Sequence, residues 1–150
     1  THGHGHRTFG YQHFAGLDIQ HDAGPGTPYD IRDDIGAIAE PVAPQTGETV
    51  IVKNYPNSFV NTDLDAQLKA AGAQNLVVVG FMTHVCINST SRGAFNLGYN
   101  VTVPASATAT RSLAAVDGSV VSADTMHTAA LTALSDIFAV VVPNTDAIPD

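Results

Sequence analysis

The sequence holds one cysteine, six Lys and Arg residues together, and charged residues at only 13% of its 150 positions. A single cysteine excludes an internal disulfide, so the simplest reading is a reduced, available thiol in a cytosolic setting. With 14 acidic residues against those six basic ones, the formal net charge is −8. No basic patch is visible, which argues against nucleic acid or an anionic membrane as partner. No apolar run approaches the ~20 residues of a membrane span, and the opening residues do not read as a signal peptide. Apolar residues at 44% are enough for a packed core and too many for a disordered chain. The low charge also points to a surface covered by another subunit, hence to a homo-oligomer. At this length a single domain over 1–150 is expected.

His2, His4 and His6 alternate with glycine at the start. That pattern reads as a tag remnant or loose arm, with metal chelation as the lesser alternative. His13 and His21 are isolated and add nothing to a metal reading. Residues 22–49 carry Pro25, Pro28, Pro41 and Pro44 among glycines and acids, a composition that predicts a long excursion with one helical turn near Ile31–Ile38. Long loops of this kind often sit at active sites.

From Glu48 the pattern becomes regular. TVIVK (49–53) is a β-branched run and predicts a buried strand. Thr62 is placed to cap a helix whose Leu64 and Leu68 share a face and which stops at Gly72. NLVVVGF (75–81) predicts a second, continuous strand, followed by a turn and a helix over 86–97. YNVTV (99–103) and FAVVV (138–142) predict further strands, with a helix capped by Ser122 between them. Alternating helices and continuous apolar strands imply a parallel, Rossmann-like sheet in a three-layer α/β/α fold.

In such sheets ligands bind beyond the carboxyl ends of the strands. Cys86 falls there, five residues after Phe81. Amide protons at a helix start favour negative charge, so a thiol there should ionise more easily and its neighbours could hold an oxyanion. A small buried hydrophobe is the alternative reading of Cys86. His84, two positions away at a tight turn, is poorly placed for a Cys–His dyad and suits packing or substrate contact instead.

GFMTHVC followed by INSTSRGA resembles the nucleophile segment of the isochorismatase-like cysteine hydrolases. VKNYPNSFVNTDL (52–64) resembles that family's lysine strand and helix start, and PASATATRSL (104–113) resembles the segment after its next strand. The likeness runs from about Ile19 to Val142, with residues 1–16 poorly matched. It implies an Asp–Lys–Cys triad in which Cys86 is the nucleophile and Lys53 the lysine. It also implies a cis peptide at Met82–Thr83, an oxyanion hole from the Thr83 and Cys86 amides, and Phe59 in the substrate pocket. For Phe59 an ordinary core position is the alternative. A small-molecule substrate with a C–N bond is expected, with no cofactor and no required metal, since the nicotinamidase branch's D-x-H…H motif has no match.

The triad aspartate divides the reading. Asp18 in GLDIQHD mimics the family's first-strand context. Only ~35 residues separate it from Lys53, too few for the intervening helix, strand and loop. Aligned by spacing, the segment matches the family's second strand instead, and the first strand and its aspartate have no counterpart. Residues 7–20 substituting for that strand, a partner chain filling it, and a fragment all remain open. An enzyme is therefore expected, against a catalytically inactive binding or scaffold member of the same fold, or an oligomer-forming structural one.

Overall fold

The computed structural model describes residues 16–149. His2, His4, His6 and His13, and the tag and metal readings attached to them, lie outside the described residues. The chain divides in sequence into two compact units, Thr1–Tyr55 and Pro56–Asp150.

The first unit is built on two parallel strands, β1 (Leu17–His21) and β2 (Thr49–Lys53). β2 spans the predicted TVIVK run, but it is buried on one face only. Ile51 and Lys53 are 5% and 3% exposed, whereas Val50 and Val52 are 39% and 43% exposed. The register pairs Ile19 with Ile51 and His21 with Lys53, so these four side chains share the covered face. The excursion between the strands forms two short 3-10 turns, Asp34–Gly36 and Glu40–Val42, the first inside the span expected to be helical. Asp30 organises its start. Its carboxylate accepts from the Gly26 and Arg32 amides and pairs with the Arg32 guanidinium at 2.6 Å. Those amides, the Gly26 one foremost, hold the Asp30 carboxyl below its ordinary range.

The second unit opens with α1 (Leu64–Ala70). The Thr62 hydroxyl accepts from the Leu64 amide and donates to the Ser58 carbonyl. At the other end Gly72 adopts φ +68, and the amides of Gly72 and Ala73 close back on Lys69 and Leu68. Only glycine enters that left-handed turn without strain. The predicted continuous strand 75–81 is broken in two: β3 (Asn75–Val77) and β4 (Gly80–Phe81). Gly80, at φ +121, redirects the chain, so that β3 pairs with β5 (Asn100–Pro104) and β4 with β6 (Thr108–Ala109), both parallel.

A short antiparallel hairpin follows, β7 (Leu113–Ala114) with β8 (Val120–Val121). The Ser122 hydroxyl accepts from the Thr125 amide and starts a helix that runs from Ala123 to Ile137. β9 (Val140–Val142) then pairs with β5, giving the parallel order β3-β5-β9. Val101, Val103, Ala94, Leu131, Leu134 and Val142 are buried in this unit and form its apolar core. No helix among the described residues is long and apolar enough to cross a membrane.

Candidate active site

β4 ends at Phe81, and the chain enters a helix earlier than the sequence suggests. Thr83–Ile87 forms a π-helical turn that continues into α2 (Asn88–Asn96); the Ala123–Ile137 helix is α3. Cys86 is therefore the fourth residue of the π turn rather than the first residue of an α-helix. The amides of Val85 and Ile87 both close on the Met82 carbonyl, at 3.1 and 3.2 Å, which holds the turn around the cysteine. Cys86 is partly buried and not in a disulfide. Single π turns of this kind are frequent at functional sites.

The non-proline cis peptide joins Phe81 to Met82. The resemblance placed it one bond later, at Met82–Thr83. The difference follows from the chain path: the strand ends at Phe81, and Met82 alone, in extended conformation, separates it from the helical turn.

Thr83 is fully buried, and its hydroxyl is hydrogen bonded to His127 Nδ1 of α3 at 2.9 Å. That bond ties the front of the turn to a helix 44 residues away in sequence. His84 is hydrogen bonded through Nδ1 to the Thr110 hydroxyl and forms no dyad in that direction. Burial, and then the nearby Arg111 charge, lower the His84 pKa below its ordinary value, which keeps the ring neutral at pH 7.

Behind the turn, the buried Thr90 hydroxyl accepts from the Ser58 amide and meets the Ser58 hydroxyl at 2.9 Å. This fixes α2 to the Pro56–Ser58 segment. Phe59 lies partly buried and stacked on Tyr99, with ring centroids 6.0 Å apart. The Tyr99 hydroxyl in turn donates to Asp65 at 2.7 Å.

Lys53, in the first unit, is a buried ammonium. It contacts His21 Nδ1 at 3.0 Å and donates to the Tyr55 carbonyl at 2.9 Å. Buried lysines need such partners. Asp18 stands opposite Val50, three residues before Lys53, or about 10 Å along the strand. Pairing with Val50 also directs it to the opposite face of the two strands from Lys53. Asp18 thus faces away from Lys53 in this register, and His21, isolated in the sequence, stands at the position paired with the lysine. Parallel pairing of the QHD and VKN segments would have exposed it; nothing in either segment alone does. His127 and Thr110 reach Thr83 and His84 across 44 and 26 residues of sequence, so no local motif marks them. Among the described residues, no group of three or more His, Cys, Asp or Glu is placed to hold a metal ion.

The isochorismatase domain family matches residues 22–146. An isochorismatase family protein of Bacillus subtilis (strain 168), YddQ, is 44% identical over 104 residues, covering 69% of this chain and 57% of its own. The ureidoacrylate amidohydrolase RutB of Agrobacterium fabrum (strain C58) is 43% identical over 63 residues, covering 42% of this chain and 28% of its own. The chain thus spans little more than half of the first relative. An isochorismatase structure from Pseudomonas putida KT2440 superposes with a TM-score of 0.83 at 34% identity, over 89% of this chain and 68% of that one. The parallel α/β arrangement expected from the sequence is the fold of these relatives, and the chain belongs to the isochorismatase family.

Proposed function

We propose that this chain is a cysteine-dependent hydrolase of a small molecule, cleaving an amide-type C–N bond. The observation that carries the reading is the π turn that holds the sole cysteine between the end of a parallel strand and α2. Similarity to an amidohydrolase across 63 residues supports the bond class.

In the proposed reaction Cys86 Sγ attacks the substrate carbonyl carbon, and the carbonyl oxygen becomes an oxyanion that receives hydrogen bonds from the Thr83 and Cys86 amides. Collapse breaks the C–N bond, and the nitrogen leaves as an amine carrying the proton given up by the thiol. Water then adds to the thioester, the C–S bond breaks, and the acid departs as the thiol regains its proton. Lys53 is assigned the family lysine's role, an ammonium that favours the thiolate. His84 and Phe59 are assigned to the substrate pocket. The enzyme reading needs no metal or cofactor; a cytoplasmic homo-oligomer fits the single thiol and the 13% charged composition.

A catalytically inactive binding protein of the same fold is the second reading, favoured by Asp18 lying on the face opposite Lys53. Turnover of a panel of small amides and ureido acids, compared between the parent chain and Cys86→Ala, separates the two. Cys86-dependent turnover supports the hydrolase, and a panel bound without turnover supports the binding protein.

A further inference from the structure

The Lys53–His21 contact has a chemical polarity. An ammonium has only donors, so His21 Nδ1 must accept, which places the ring proton on Nε2 and requires a neutral imidazole. The groups facing the ring are consistent with that state. Lys53 comes from β2, the Tyr29 ring meets the imidazole edge-on at 5.6 Å, and Asp22 follows in the chain. The Asp22 carboxylate is also paired with the Arg32 guanidinium at 3.1 Å and bonded to the Gly24 amide. Burial and then the Lys53 charge lower the His21 pKa, with Asp22 opposing. Together with the Tyr55 carbonyl, His21 fixes the direction of a lysine that is 3% exposed.

We propose that His21 is the positioning residue of the site: in its neutral form it aims the Lys53 ammonium for the hydrolysis assigned above. The inference rests on that assignment. His21 acts through Lys53 and not on the substrate, so its loss lowers kcat and leaves KM in place. Protonation replaces the accepting nitrogen with a second cation against Lys53, so turnover falls as the pH drops through the His21 pKa, below the ordinary value of 6.5.

The experiment uses the full chain with p-nitrophenyl acetate as acyl probe, counting only the rate lost in Cys86→Ala. His21→Phe is expected to lower kcat by roughly 10- to 100-fold, the scale of a misdirected catalytic group. His21→Asn, whose amide oxygen still accepts, should recover much of the rate and lose the acid limb. Wild-type kcat in His21→Phe, or an unchanged acid limb in His21→Asn, overturns the proposal. An NMR titration of the His21 ring, assigned by its disappearance in His21→Asn, separates this inference from the hydrolase assignment. In Lys53→Met the ring pKa should move up, and an unmoved value refutes the pairing whatever the activity. A moved value in a chain without Cys86-dependent turnover retains the pairing and overturns its catalytic role together with the hydrolase assignment.

Discussion

Replacing Thr90 by valine keeps the shape of a buried side chain and deletes one oxygen. That oxygen accepts from the Ser58 amide at 3.1 Å, meets the Ser58 hydroxyl at 2.9 Å and reaches the Pro56 carbonyl at 3.4 Å. The last contact is long and counts for little. Ser58 is itself buried, so its amide would be left without this acceptor in an apolar setting. One lost hydrogen bond is worth about 1 kcal/mol net, and a stranded buried donor costs about 1–3 kcal/mol. The sum for Thr90→Val is roughly 2–4 kcal/mol. Thr90→Ser keeps the hydroxyl and removes a methyl group, a loss of about 1 kcal/mol. With a urea slope of about 2 kcal/mol/M, valine should lower the unfolding midpoint by about 1–2 M and serine by about 0.5 M. Urea titration followed by circular dichroism reads both. If packing rather than hydrogen bonding holds α2 here, the order reverses, with serine the more damaging. A Thr90→Val chain as stable as the parent, or more stable than Thr90→Ser, refutes the reasoning.

Two further outcomes follow from the same unit. Burial, and then the Asp65 carboxylate, push the Tyr99 hydroxyl up to about 12 from 10.0. A raised pKa contributes stability that is present below the unfolded value and is lost as the pH rises through the folded one. Phenolate absorbance should therefore show a late step near pH 12 that is missing in Tyr99→Phe; an unchanged titration would contradict the assignment. Leu134 in α3 is fully buried, so Leu134→Ala should cost about 2–5 kcal/mol, read as a urea midpoint shift, and a shift no larger than that of an exposed-site control would place Leu134 outside the core.

The parts of the fold written in neighbouring residues were legible. The Ser122 cap and the Gly72 stop depend on contacts within a few positions, and TVIVK carries its β-branched run in the sequence itself. The break in NLVVVGF was not, because Gly80 bends the chain to give β4 a different partner from β3. The early helix start escaped for a related reason: Thr83 is a poor interior helix former, held in place by a hydroxyl bond to His127. At the proposed site, the motifs point to Cys86 and Lys53 by resemblance. Their neighbours are not so marked, since His21 meets Lys53 only through the register of two strands 32 residues apart. The same register explains Asp18: its local context imitates a catalytic aspartate, while period-two alternation turns it to the other face. A local likeness carries residue type, and only pairing carries direction.

The proposed hydrolysis requires Cys86 as a covalent nucleophile. Acid-quenching the chain during turnover of p-nitrophenyl acetate, then measuring intact mass and peptide fragments, reads this directly. One acetyl group per chain is expected, located on Cys86, chased by water on standing and missing from Cys86→Ala. Turnover that persists in Cys86→Ala, or an acetyl group found on another residue, would contradict it.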